Sequence, residues 1–277
     1  MLIDLHAKSD ISEGVKLSPR QILTKARDSG LDAVAFCETL STARSADILA
    51  LARDEFPDLN VFIGVEIPTD RGILLGFVPE VDAFYLAEEW RAITYMTTPA
   101  AEAVMQLFDK HNGVTIAARP YDLEIPFNMG DHIFTFDRLS AVEVFTPRVG
   151  ALQNNFALEA ATFMGLGTIG GSDPSDDLDA VGRFATFFDD EIRTQKQLVD
   201  ALKNAEFWAV QIGDVEQQAS SRARRPSKGG SGRGRSGRSS KGGGGRRGSK
   251  GGGRRGSKGG GRSSRGGRSR GGRSKRS

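Results

Sequence analysis

Cysteine is nearly absent from this chain. Cys37 stands alone in 277 residues, which excludes an internal disulfide and suits a reducing, cytoplasmic setting. Long hydrophobic runs are missing as well: none approaches the roughly 20 apolar residues that a membrane-spanning helix needs. The opening Met-Leu-Ile-Asp-Leu-His has neither a basic stretch nor a long apolar one, so no secretory signal is expected. A further absence is regional. From Ser221 to Ser277 there is no Asp, no Glu and no aromatic residue, against 21 Lys or Arg. The formal net charge of +3 therefore joins two opposed parts, because the first 220 residues hold 17 basic and 35 acidic residues. A segment with almost nothing apolar to bury cannot offset the entropy lost on ordering. We expect residues 227–277 to form a disordered Gly/Arg/Ser/Lys-rich tail, 214–226 a linker, and 1–213 to carry the fold.

The first 213 residues alternate short apolar runs with capped amphipathic segments. Strands are expected at Leu2–Leu5, Ala33–Phe36, Val61–Ile67, Ile73–Val78, Val114–Ala118, Ala141–Phe145, Arg183–Phe188 and Phe207–Ile212. Ser18-Pro19 and Thr98-Pro99 each supply a cap and a first-turn proline for helices ending near Gly30 and Gly113. Further helices are expected over Ala43–Glu55, over Leu152–Met164 and after Thr194. Strands alternating with helices predict an α/β domain with a mainly parallel sheet or barrel.

In such an architecture ligands gather at the carboxyl ends of the strands. The polar residues just beyond the apolar runs are Asp4 and His6, Glu38, Glu66, Arg119, Glu143 and Asp173. A rim of carboxylates and imidazole suits divalent metals; the same carboxylates also suit pairing with Lys and Arg. His132, in the loop near Gly130, is a further candidate for the rim, whereas His111 sits where it would complement a helix C-terminus.

Six segments in order resemble the PHP (polymerase and histidinol phosphatase) domain family. Asp4-Leu5-His6-Ala7-Lys8 is similar to its Asp-x-His-x-His opening, and Cys37-Glu38-Thr39 lies where its Thr-Asp-His strand end falls. Gly64-Val65-Glu66 resembles Gly-x-Glu, Ala118-Arg119-Pro120 takes the place of Ala-His-Pro, and Ala141-Val142-Glu143 that of a later Glu-bearing strand. Gly171-Ser172-Asp173-Pro174-Ser175 stands for Gly-Ser-Asp-x-His. The resemblance spans residues 2–212 and implies a distorted (β/α)7-type barrel with two or three metals that hydrolyses phosphoesters. It also implies that His6, Glu66 and Asp173 are metal ligands and catalytic if the site is active, with Glu38 and Glu143 as possible helpers.

Four expected histidines are replaced, by Lys8, Thr39, Arg119 and Ser175. A protonated Lys or Arg has no lone pair to donate. At 4 Å, each would repel a dication by about 8 kcal/mol at an effective dielectric of roughly 20. We therefore expect no metal cofactor, with Lys8 and Arg119 neutralising the carboxylates in a salt-bridge network. The alternative keeps one divalent ion (Mn, Zn or Mg), with Lys8 and Arg119 binding phosphate.

The tail carries the remaining expectation. Arg-Arg-Gly-Ser-Lys-Gly-Gly-Gly repeats at 246–253 and 254–261, and Arg-Gly-Gly starts at Arg265 and Arg270. A flexible chain of this length reaches about 40 Å. With no aromatic ring to stack on bases, Arg246, Arg247, Arg254, Arg255, Arg265 and Arg270 should bind nucleic acid, RNA foremost, electrostatically and without sequence preference. A contact between tail and acidic body is a rival, and an anionic membrane surface or polyphosphate a third. Two functions follow: a catalytically weak or inactive PHP-like protein tethered to RNA or DNA, or a divergent metal-dependent phosphoesterase or nuclease that captures substrate with its tail.

Overall fold

The computed structural model describes residues 1–96, 98–204 and 206–213. Among these described residues nine strands form one sheet: β1 Leu2–Ala7, β2 Ala33–Thr39, β3 Asn60–Thr69, β4 Gly72–Phe77, β5 Val114–Ala118, β6 Ala141–Phe145, β7 Gly167–Gly170, β8 Phe184–Phe188 and β9 Phe207–Gln211. Their order is β7-β6-β5-β4-β3-β2-β1-β8-β9. The sheet curls into a nearly closed, distorted α/β barrel, the architecture that the sequence predicts. It is less parallel than expected. β1–β2, β2–β3, β5–β6 and β6–β7 are parallel, but β3–β4, β4–β5, β1–β8 and β8–β9 are antiparallel. The β3–β4 pair is a hairpin turning at Asp70 and Arg71, so β4 enters the barrel without a crossover helix.

The longer helices are α1 Pro19–Asp28, α2 Ser45–Glu55, α5 Ala101–Lys110, α6 Ala151–Met164 and α7 Gln195–Asn204; the short α3 Val81–Tyr85 and α4 Glu88–Thr94 precede α5. Ser18 caps α1 in a capping box with Gln21. Thr98 does not cap α5, contrary to expectation. Its N-cap is Ala100, and the Ala101 N–H donates instead to Asp70 Oδ1 at 2.9 Å. The hairpin turn thus supplies the acceptor that the local sequence lacks.

Three apolar clusters hold these layers together. Inside the barrel, Ile3, Leu5, Ala33, Ala35, Cys37, Phe62, Leu75, Phe77 and Ile116 pack with Leu198, Val199 and Leu202 of α7. That helix closes the end where the parallel strands begin. Outside, α1 and α2 cover one flank through Ile22, Leu23, Ile48 and Ala52. The other flank packs around Phe84, Trp90, Val104, Phe108 and Ala161. The buried polar residues His6, Glu66, Arg119, Glu143 and Asp173 collect at the end where the parallel strands finish. Among the described residues no helix is long and apolar enough to cross a membrane.

The seam between β7 and the β8–β9 hairpin is held by threonine side chains. The Gly170 N–H donates to Thr186 Oγ1 at 3.1 Å, and the same hydroxyl donates to the Gly170 carbonyl at 3.2 Å. The Ala209 N–H donates to Thr168 Oγ1 at 3.1 Å. Thr186 is fully buried, so Thr186→Val keeps its shape while leaving both Gly170 groups unpaired. This variant should lose about 2 kcal/mol of stability in urea unfolding; an unchanged midpoint and slope would show that the seam does not need it.

Candidate functional site: an ion-pair cluster at the barrel mouth

His6 lies at the centre of the polar end. The register of β1 against β2 slips between Asp4 and Ala7. Leu5 joins the barrel interior while its neighbour His6 enters the polar cluster, the kind of re-aiming that a bulge provides. Asp4 Oδ1 fixes this stretch by accepting from the His6 N–H at 3.1 Å and the Ser172 N–H at 3.0 Å. Gly171 allows the close approach of the last strand end, because a Cβ there would collide with His6 Cβ. The Asp173 N–H then donates to the His6 carbonyl at 2.6 Å.

The His6 ring is clamped between two glutamates. Nδ1 lies 2.9 Å from Glu143 Oε1 and Nε2 3.1 Å from Glu66 Oε2. His6, Glu66 and Asp173 each offer an atom within 4.8 Å of the others, so the three expected ligands converge. Lys8 converges with them. Its Nζ stands 2.9 Å from both Glu66 oxygens and 3.0 Å from Asp173 Oδ1. Arg119 joins them: Nη1 pairs with Asp173 Oδ2, Nη2 lies 3.8 Å from Glu66 Oε2, and Nε lies 3.5 Å from Asp122 Oδ2. Thr39 donates its hydroxyl to Glu66 Oε1 at 3.0 Å. Every one of these groups except Lys8 and Thr39 is buried.

Other candidates have different roles. Glu143 joins the cluster by holding His6 and by accepting the Arg119 N–H at 3.2 Å. Glu38 does not join it: its carboxylate accepts from the Ser9 N–H and from the Ser9 and Ser12 hydroxyls, pinning the loop after β1. His132 is exposed and pairs with Arg71, not with the rim. His111 caps the end of α5, as placed, and meets Glu89 at 3.0 Å. Ser175 accepts from Arg148 Nη1 at 3.1 Å. Sequence inspection missed Arg148, whose Nε lies 3.6 Å from Asp173 Oδ2, and Asp122. Both follow strand ends within a few residues, the one signal that marked the others. Arg246, Arg247, Arg254, Arg255, Arg265 and Arg270 lie outside the described residues.

Backbone strain accompanies the cluster. Arg119 and Asp173 adopt positive φ, 45° and 36°, each costing on the order of 1 kcal/mol for a non-glycine residue. The conformation is held by the contacts of the same two residues. The ionisation pattern is also shared. Burial alone would lower the His6 pKa, but the Glu143 charge, with hydrogen bonds to Glu143 and Glu66, raises it overall and favours the imidazolium. Burial alone would raise Glu66, yet hydrogen bonding to His6 and the Lys8 charge hold it well below the usual carboxylate range. Asp4 moves the other way, raised by burial against the opposing bonds of Ser172 and His6.

Two outcomes follow. A raised folded-state pKa means that the native state holds the His6 proton after the unfolded chain has lost it. The His6 contribution is therefore complete below about pH 6.5 and lost as pH rises through the folded pKa. Denaturation measured across pH 6–9 should show stability falling with pH, and His6→Gln should flatten that slope; an equal slope in both would contradict the assignment. Lys8→Met leaves Glu66 and Asp173 short of one cation and should cost about 2–3 kcal/mol in chemical denaturation, whereas an unchanged midpoint would place Lys8 outside the network.

With this geometry established, comparison with known proteins gives a consistent result. Residues 151–207, from α6 to the start of β9, match the family described as PHP-associated. The fold is similar to that of PsfC from Pseudomonas syringae PB-5123, with a TM-score of 0.58 at 14% identity over 79% of this chain and 95% of that one. It is also similar to an amidohydrolase from Chromobacterium violaceum, solved with bound sulfate and no metal, with a TM-score of 0.53 at 15% identity over 77% and 99%. No curated protein sequence matches significantly. Residues 151–207 are thus similar to the PHP-associated family, and the barrel as a whole shares its fold with these solved structures.

Proposed function

We propose that this barrel has exchanged its metal centre for fixed side-chain cations, and that the protein acts by binding, not by metal-dependent hydrolysis. One observation carries the proposal: the Lys8 ammonium lies within 3.0 Å of both Glu66 and Asp173, between the carboxylates that a divalent ion would need. Arg119 takes the remaining Asp173 oxygen. A dication entering here would have to displace an ammonium and a guanidinium already paired with the carboxylates, and among the described residues His6 is the imidazole that the cluster offers. His6 is itself hydrogen-bonded through both ring nitrogens and biased toward the charged form. The residues present therefore do not fit a divalent ion.

The basic segment supplies the binding function in this proposal. Its 21 Lys or Arg without an acid suit phosphate neutralisation with counterion release, which is salt-sensitive and indifferent to sequence. RNA is the favoured partner. A divergent phosphoesterase is the second possibility, supported by the convergence of His6, Glu66 and Asp173 within 4.8 Å. The two separate in one experiment. The full chain, assayed with Mn²⁺ or Zn²⁺ on a small phosphomonoester, should give no turnover above background. It should bind single-stranded RNA with an affinity that falls steeply with salt, and ending the chain at Gly213 should remove that affinity at about 150 mM salt. Metal-stimulated turnover abolished by Glu66→Gln would establish the phosphoesterase, and RNA binding that survives the truncation would refute the role of the tail.

A further inference from the structure

Helix α6 is built with its large residues outward. Its buried positions are Asn154, Ala157, Ala160 and Ala161, all small or polar. Leu152, Phe156 and Phe163 are exposed, Phe163 by 82%. A surface helix normally does the reverse, and large exposed apolar faces mark interaction sites. Phe156 and Phe163 line a cleft of about 610 Å³ together with Tyr121 and Phe134, and the carboxylates of Asp131 and Glu159 lie on the same walls. The rings are paired. Tyr121 and Phe156 have centroids 5.7 Å apart, and Phe134 meets Phe163 edge-on at 5.4 Å. The Tyr121 hydroxyl donates to Asp131 Oδ1 at 3.4 Å. Among the described residues, neither Asp131 nor Glu159 pairs with a Lys or Arg, although acidic residues elsewhere on the surface do.

This combination selects its occupant. Nucleic acid is disfavoured, because the two carboxylates would face phosphates. A second copy docked about a two-fold axis would bring Asp131 and Glu159 toward their own equivalents. A purely apolar peptide would strip water from both carboxylates and give them no partner. A cation satisfies both halves of the cleft: the ring faces attract it and the carboxylates neutralise it. Arginine fits better than lysine, since a planar guanidinium stacks on a ring while donating to a carboxylate in its own plane. We propose that the α6 cleft is a docking site for an arginine side chain of a basic peptide segment. The cleft shares no lining residue with the barrel-mouth cluster, and the proposal stands whether or not the mouth binds metal.

Photo-crosslinking in the full chain tests it. Benzoylphenylalanine replaces Leu152, one turn from Phe156, and the probe is a biotinylated Arg-Gly-Gly-Arg-Ser-Arg-Gly-Gly-Arg peptide at about 150 mM salt. Adducts should form on the arginine-bearing probe. They should fall about fivefold or more in Asp131→Asn/Glu159→Gln and in Phe163→Ala. A probe with citrulline in place of arginine should give none. Equal labelling by the citrulline probe, equal labelling in the substituted chains, or no adduct on the arginine-bearing probe would overturn the proposal.

Discussion

The structure turns on the need to neutralise Glu66 and Asp173 where water cannot. Both carboxylates are almost completely buried, and a buried charge without a partner costs several kcal/mol. Three cationic groups meet that need from separate parts of the chain: His6 and Lys8 from the first strand and the residue after it, and Arg119 just beyond β5. Arg148, half-exposed, adds a fourth from the loop after β6. Removing any one cation leaves acid unmatched, so the barrel mouth behaves as one electrostatic unit. The local details serve it. The slip in β1 turns His6 inward, Asp4 anchors two backbone amides beside it, and the left-handed backbone at Arg119 and Asp173 brings guanidinium and carboxylate together.

On the proposal that side-chain cations stand in for a metal, the same need explains how the fold holds with Lys8 and Arg119 where the PHP resemblance leads one to expect histidines. Neutral substitutions at Lys8 and Arg119 would have left the carboxylates repelling one another. Fixed cations hold them together without an exchangeable ion. In that proposal the stabilisation is built into the chain, and the exchange gives up a Lewis acid and a source of hydroxide. Thr39, which donates to Glu66, shows the milder form of the same change: a hydroxyl supplies a hydrogen bond where an imidazole is expected.

Much of this was legible in the sequence, and the misses have physical causes. Val114–Ala118 and Ala141–Phe145 could be read to the residue because each is a short apolar run bounded by polar or glycine residues. β7 escaped because Gly-Thr-Ile-Gly is too short and too rich in glycine to show a period. The antiparallel pairings were hidden, since a strand's alternation says nothing about the direction of its neighbour. The α5 cap comes from Asp70, about thirty residues away, and no local signal marks it. At the site, the ordered motifs carried His6, Lys8, Glu66, Arg119 and Asp173 to one place. Glu38 looked equivalent to Glu66, but two nearby serines, Ser9 and Ser12, claim it. The exposed aromatic face of α6 was invisible, because helical spacing of Leu152, Phe156 and Phe163 does not say whether that face is buried.

Whether side-chain cations exclude a metal ion decides what this barrel mouth does. Titrating Mn²⁺ and Zn²⁺ into the full chain by calorimetry, beside Lys8→His/Arg119→His, addresses this most directly. The natural chain should show no saturable binding at the barrel mouth, while the double variant, with two imidazoles in place of two charges, should take up an ion. A tightly bound ion in the natural chain, lost on Glu66→Gln, would contradict the account.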